Sequence, residues 1–241
     1  MDLSGITHVA FDADDTLWGH EHIFVDAKKR CLDLLAPYLK PGLDLERELY
    51  KFEAKNLKIF GYGVKGFVLS MIETAVELSG GTITGREIQR IIDLGKEMLE
   101  HPIELLPFVY EAVDTLEDHF YIMIITKGDL FDQENKIARS GLADRFHDVE
   151  IVSEKNPATY AEILSRKAID PANFLMIGNS LRSDVLPLVE IGARAIHLPY
   201  EYTWHHEAVP EAQQRERWRQ ADNLEWVVEQ LMATRPGARA R

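Results

Sequence analysis

The sequence predicts an α/β protein: a doubly wound, Rossmann-like parallel sheet carrying an inserted α-helical cap domain. Three observations predict it. A short apolar segment, Ile6–Phe11, opens the chain with the β-branched residues Ile6, Thr7 and Val9 and stops at Asp12. After Pro107, short apolar runs alternate with amphipathic stretches, the pattern of a parallel sheet covered on both faces. In between, apolar residues recur at helical spacing and no convincing strand can be read.

Taken in order, Ile6–Phe11 is the first strand. A helix then runs through Phe24, Ala27, Cys31, Leu34 and Leu35, followed by helices near Leu45–Phe60, Val64–Leu78 and Arg86–Leu99. Gly61, Gly63, Gly80 and Gly81 punctuate them, and Thr84 stands three residues before Glu87, the spacing of a capping box. Beyond Pro107, a helix near Phe108–Leu116 leads to the strand Tyr121–Thr126. A helix reaching Ser140, the strand Val149–Val152 and a helix over Ala158–Lys167 come next. The strand Phe174–Ile177, a helix over Ser183–Ile191, the strand Ala195–Leu198 and a helix over Leu224–Leu231 complete the pattern. The predicted domains are an α/β core from 1–18 and 102–234 and a helical cap from 19–101. The basic tail 235–241, with Pro236 and Gly237, is expected to be disordered. Open α/β sheets bind ligands at the carboxyl ends of their strands, so an insert directly after the first strand is expected to overhang that crevice.

With 241 residues, 46% of them hydrophobic, the chain can bury a sizeable core. Its net charge of −13 and pI of about 5.1 argue against a nucleic-acid or anionic-membrane partner. A small anionic substrate stays compatible, because a metal and a few local cations outweigh a distant negative surface. No apolar run is long enough to span a bilayer and no signal peptide is read, so a cytoplasmic location is expected. The single cysteine, Cys31, falls on an amphipathic pattern and reads as a packing residue.

Four polar clusters follow predicted strands. They are Asp12-Ala13-Asp14-Asp15-Thr16, Thr126-Lys127-Gly128-Asp129, Glu154-Lys155-Asn156-Pro157, and Gly178-Asn179-Ser180 with Ser183-Asp184. Each has a bland reading: a carboxylate turn as a helix cap, Lys155 as a solvated lysine, Thr126 as a strand residue. Their order gives them force, since all four fall at the same edge of one predicted sheet. Crowded carboxylates call for a cation, and the set offers acids, a hydroxyl, a lysine and turn glycines. An anionic phosphoryl group with a hard divalent metal needs these groups.

These clusters resemble the four motifs of the haloacid dehalogenase superfamily, over a span from His8 to about Leu198. Phe11-Asp12-Ala13-Asp14-Asp15-Thr16-Leu17 resembles the first motif, with Asp15 where the family often has glycine. Thr126 and Lys155 resemble the second and third, and Ile177-Gly178-Asn179-Ser180 with Asp184 resembles the fourth, with Asn179 where aspartate is common. The resemblance implies a magnesium-dependent phosphatase acting on a small phosphorylated metabolite. Asp12 would be the nucleophile and Asp14 the acid and base. Thr126, Lys127 and Lys155 would bind the phosphoryl oxygens. Mg2+ would be held by Asp12, the backbone carbonyl of Asp14, Asp184 and, directly or through water, Asn179. Dehalogenases of this fold lack the second aspartate, because a halide leaves without a proton, so Asp14 favours phosphoryl transfer.

Rival readings are a phosphomutase or phosphonate hydrolase of the same superfamily, the latter needing a cap lysine such as Lys51, Lys55, Lys58 or Lys65. A phospho-acceptor signalling domain is disfavoured, because its acceptor Asp follows a third strand and it carries no helical insert. His8, His20, His22, His205 and His206 have no convincing metal-ligand spacing and read as surface or loop residues, and the four tryptophans read as packing residues. In the cap, Tyr62 and Lys65 at the turn Phe60-Gly61-Tyr62-Gly63 are candidate substrate contacts.

Overall fold

The computed structural model describes residues 1–39, 42–201 and 217–234. The chain divides into two compact units. One comprises Met1–Glu21, Ile103–Lys127 and Gln133–Arg241, and the other His22–Pro102 and Gly128–Asp132. His205, His206, Trp204 and the tail 235–241 lie outside the described residues.

Among the described residues, the first unit is built on a six-stranded sheet. The strands are β1 (His8–Phe11), β2 (Tyr121–Lys127), β3 (Asp148–Val152), β4 (Phe174–Gly178), β5 (Arg194–His197) and β6 (Trp218–Gln220). Their order is β3-β2-β1-β4-β5-β6 and every pairing is parallel. The side-chain alternation of strands explains how one sheet serves two cores. Val9, Phe11, Ile122, Ile124, Leu175 and Ile177 face one apolar cluster. Ala10, Met123, Ile125, Phe174 and Met176 face another. The helices α5 (Val109–Glu117) and α9 (Leu224–Ala233) cover the first, and α7 (Pro157–Arg166) and α8 (Leu186–Glu190) the second. Burial on both faces is why these strands read as near-continuous apolar runs.

β6 has no counterpart in the sequence prediction. It is three residues long, Trp-Arg-Gln, at the sheet edge with only Trp218 buried, too short for a period-two pattern to show. The expected helix over Ser183–Ile191 is also different. A π-helical turn, Leu181–Val185, precedes α8, whose first turn holds Pro187. Such wide turns often mark functional sites.

The second unit is helical: α1 (Glu21–Leu35), α2 (Leu45–Phe60), α3 (Val64–Leu78) and α4 (Gly85–Glu100). Cys31, Leu35, Leu49, Met71, Ala75 and Ile91 form its main core. There, burial pushes the Cys31 thiol up to about 12, so the residue packs and does not react. Thr84 and Glu87 form the full capping box at the start of α4. α6 (Leu130–Arg139) follows β2. No helix among the described residues is long and apolar enough to cross a membrane.

Candidate active site

The site gathers where the strand order reverses. β1 lies between β2 and β4, with Phe11 paired to Ile124 on one side and Ile177 on the other. Ligands bind at this kind of switch point in open α/β sheets. Asp12 follows Phe11 and is tied to β4 by its N–H, which donates to the Ile177 carbonyl at 2.9 Å. Thr126 stands buried near the end of β2, and Lys155 and Asp184 follow β3 and β4.

Lys155, Asp12 and Asp184 meet. The Lys155 ammonium donates to Asp12 Oδ1 at 2.5 Å and to Asp184 Oδ1 at 2.7 Å, with its own side chain 1% exposed. Burial would lower its pKa, but the two carboxylates outweigh that and hold it well above the ordinary lysine value. Burial pushes the Asp12 carboxyl up to about 7; Lys155 opposes this and the Asp184 and Asp14 charges add to it. Gly178 explains how Asp184 fits. A β-carbon there would lie 2.4 Å from the Asp184 carboxyl, so only glycine leaves room. The π-turn then lets the Ser180 N–H donate to Asp184 Oδ2 at 3.0 Å.

Thr16, quoted in the first cluster but given no role from sequence, links two clusters. Its hydroxyl donates to Asp12 Oδ2 at 3.1 Å and accepts the Asn179 N–H at 3.1 Å. The Asn179 carbonyl lies 2.9 Å from His197 Nε2. Lys127 reaches the same edge, donating to Ser183 Oγ at 2.9 Å.

Asp14 sits in a cradle the sequence did not reveal. Oδ1 accepts from Trp18 Nε1 at 2.7 Å and Lys136 Nζ at 2.8 Å; Oδ2 accepts from Lys136 Nζ at 2.7 Å and Gln133 Nε2 at 2.9 Å. His20 Nε2 lies 3.6 Å from Oδ2, so His20 is no ordinary loop histidine but part of this cluster. Trp18, fully buried in the core, is likewise more than a packing residue. Burial alone would raise the Asp14 carboxyl, but the charges of His20 and Lys136 and the hydrogen bonds from Lys136 and Gln133 hold it well below the usual carboxylate range.

Asp15 explains the departure at the family's glycine position. Its φ is +61°, left-handed backbone that glycine adopts freely and aspartate better than most residues. Its carboxylate accepts the N–H groups of His20 at 2.7 Å and Glu21 at 3.1 Å, capping the start of α1. The two candidate specificity residues belong to the helical unit. There Lys65 pairs with Asp129 at 2.8 Å, and its ammonium lies 5.5 Å from the Phe131 ring centre.

A family model described as a haloacid dehalogenase-like hydrolase matches residues 6–192. The chain belongs to this family, and is therefore a hydrolase. Among solved structures it resembles a haloacid dehalogenase-like family hydrolase of Xanthomonas campestris, at 42% identity and TM-score 0.85, over 99% of this chain and 95% of that one. A 2-haloacid dehalogenase of Pseudomonas syringae pv. tomato matches at 23% identity and TM-score 0.62, over 94% and 98%. A predicted phosphoglycolate phosphatase of Haemophilus somnus matches at 16% and TM-score 0.62, over 94% and 98%. These last two share the fold and differ in named chemistry. Comparison with curated proteins returns no match.

Proposed function

We propose that this hydrolase is a magnesium-dependent phosphatase, hydrolysing a small phosphomonoester through an aspartyl-phosphate on Asp12. The observation that carries the reading is Asp14. A carboxylate two residues beyond the nucleophile is gripped by four hydrogen bonds, yet its side chain remains 20% exposed. A halide leaves as a stable anion and has no use for such a group; an alkoxide leaving phosphorus needs a proton.

The donors fit magnesium. Asp12 Oδ1 and Asp184 Oδ1 converge on one point, the Lys155 ammonium, and both are hard oxygens. Among the described residues no group of three or more His, Cys, Asp or Glu side chains is set out as a metal site. Magnesium needs none, since one or two carboxylates with waters and substrate oxygens suffice. In this reading Asp12 and Asp184, with the Asp14 carbonyl and Asn179, would hold the ion. When bound, it supplies positive charge against the phosphoryl oxygens.

The chain's own residues then divide the work. Asp12 attacks phosphorus, oriented by the Thr16 hydroxyl. Thr126, Lys127 and Lys155 bind the phosphoryl oxygens as their charge is redistributed. Asp14 gives a proton to the leaving oxygen and takes one from the water that attacks the aspartyl-phosphate. The form of Asp14 favoured by its neighbours is the anion, so the carboxylate must take up a proton before the first step; the proton it then gives to the leaving oxygen is regained from the attacking water in the second. Tyr62 and Lys65 stand as proposed selectors of the leaving group.

The test is Asp12→Asn with and without chelator. Turnover of nitrophenyl phosphate should fall to background in the variant, with its unfolding temperature kept, and wild-type turnover should vanish in chelator and return with magnesium. Substantial activity in Asp12→Asn, or full activity in excess chelator, contradicts the reading.

A further inference from the structure

We propose that Lys136 and Gln133, on α6, are positioning residues for the reaction, fixing the Asp14 carboxylate for proton transfer. The inference rests on the reading of Asp14 as acid and base. Gln133 and Lys136 are three residues apart on α6, so they share one helix face. They are buried, at 2% and 4% exposure. Lysine is almost never buried without a partner, and Lys136 commits its ammonium to both oxygens of Asp14 at 2.8 and 2.7 Å. Contact with both oxygens sets the plane of the carboxylate as well as its place. Trp18 completes the grip on Oδ1 at 2.7 Å.

Gln133 adds a neutral donor to this grip. Its amide nitrogen serves two acceptors, Asp14 Oδ2 at 2.9 Å and the Lys127 carbonyl at 3.3 Å. Its own oxygen is buried with no hydrogen-bond partner among the described residues. A buried unpaired oxygen is costly, and turning the amide over would set oxygen against the Asp14 carboxylate. The amide thus takes the setting in which its nitrogen serves Asp14. It also ties Asp14 to the end of β2, next to Thr126. A merely structural ion pair would explain Lys136, but not this glutamine or the part of Asp14 left open to solvent.

Kinetics on two substrates separate these roles. An alkyl phosphate needs a proton on its leaving oxygen, whereas nitrophenyl phosphate needs little. The variants are Lys136→Met, Lys136→Arg, Gln133→Leu, Asp14→Asn and the Asp14→Asn/Lys136→Met double, each assayed at saturating magnesium after an unfolding scan. General acid–base catalysis contributes about a hundred- to ten-thousand-fold, so losing its positioning should lower kcat on the alkyl phosphate roughly tenfold or more. KM should change little, single-turnover nitrophenol release should fall less, and Lys136→Arg should recover part of the loss. In the Asp14→Asn background, Lys136→Met should add nothing further. Equal losses on both substrates, or a Lys136→Met effect that adds fully to Asp14→Asn, overturn the inference. Should Lys136→Met fail to fold, Gln133→Leu, which removes no charge, carries the same comparison. If Asp14→Asn itself shows no leaving-group dependence, the acid–base reading falls and takes the inference with it. If Asp14→Asn shows it and the α6 variants do not, the inference alone falls.

Discussion

In the proposed reaction Asp12 must be an anion to attack phosphorus, and burial beside Asp184 works against that, while Lys155 works for it. Asp15, one residue beyond Asp14, gives a test of burial that does not involve the chemistry. Burial pushes its carboxyl from 3.8 up to about 7, the N–H groups of His20 and Glu21 opposing and the Asp14 charge adding. A folded-state value above the unfolded one means a stabilising contribution present at low pH and lost as pH rises to about 7. Asparagine tolerates left-handed backbone and keeps an acceptor oxygen for the cap, but has no charge to bury. Asp15→Asn should therefore match wild type near pH 4 and become the more stable protein as pH passes 7, read by denaturant unfolding across that range. A gap that closes or reverses with rising pH contradicts the account.

At the scale of elements, β4 and the π-turn after it form the support of the site. Gly178→Ala would place a methyl group 2.4 Å from the Asp184 carboxyl, and Asp184 would have to move. Disturbing the support of a metal ligand typically costs about ten- to a hundred-fold in metal affinity, and a magnesium titration of activity in this variant should show a shift of that order. An unchanged titration would mean that Asp184 is not a ligand. The elements also show where the sequence speaks. α2 and α3 carry the predicted bounds Leu45–Phe60 and Val64–Leu78, because Gly61 and Gly63, at φ +73° and +108°, mark the break between them. β6 and the π-turn were not legible, one being too short for periodicity and the other looking like ordinary helix. The same holds in the site. Asp12, Lys155 and Asp184 stand out because each follows a strand whose apolar run is visible. Gln133 and Lys136 lie inside a polar helix face, Thr16 and Trp18 within a turn, and no spacing rule links them to Asp14. Only the folded chain, which brings Lys136 to a residue 122 positions away, shows that relation.

For the whole molecule, the proposed ion joins stability to pH. With Asp12 raised to about 7, magnesium competes with a proton for the carboxylate below that pH, so its affinity should climb up to about pH 7 and then level off. A ligand that binds only the folded chain at a hundred times its Kd adds about 2.7 kcal/mol. At a fixed magnesium concentration the rise in Tm should consequently be larger at pH 7 than at pH 5, and equal rises would speak against Asp12 as a ligand. The chain's charge of −13 makes the choice of control important, because a divalent cation also screens a negative surface. Calcium at the same ionic strength distinguishes screening from a site that demands near-octahedral oxygen ligands.

The central claim, that Asp12 takes the phosphoryl group, is tested most directly by trapping it there. On the proposed mechanism Asp14→Asn would lack the base for the second step, so an acyl-phosphate formed from nitrophenyl phosphate in the presence of magnesium should accumulate in this variant. Acid quench within the first turnover, followed by peptide mass mapping, should place one phosphoryl group on the peptide containing Asp12, removable by hydroxylamine. A full burst of nitrophenol with no phosphoryl group on Asp12, or with the group on another residue, would contradict the account.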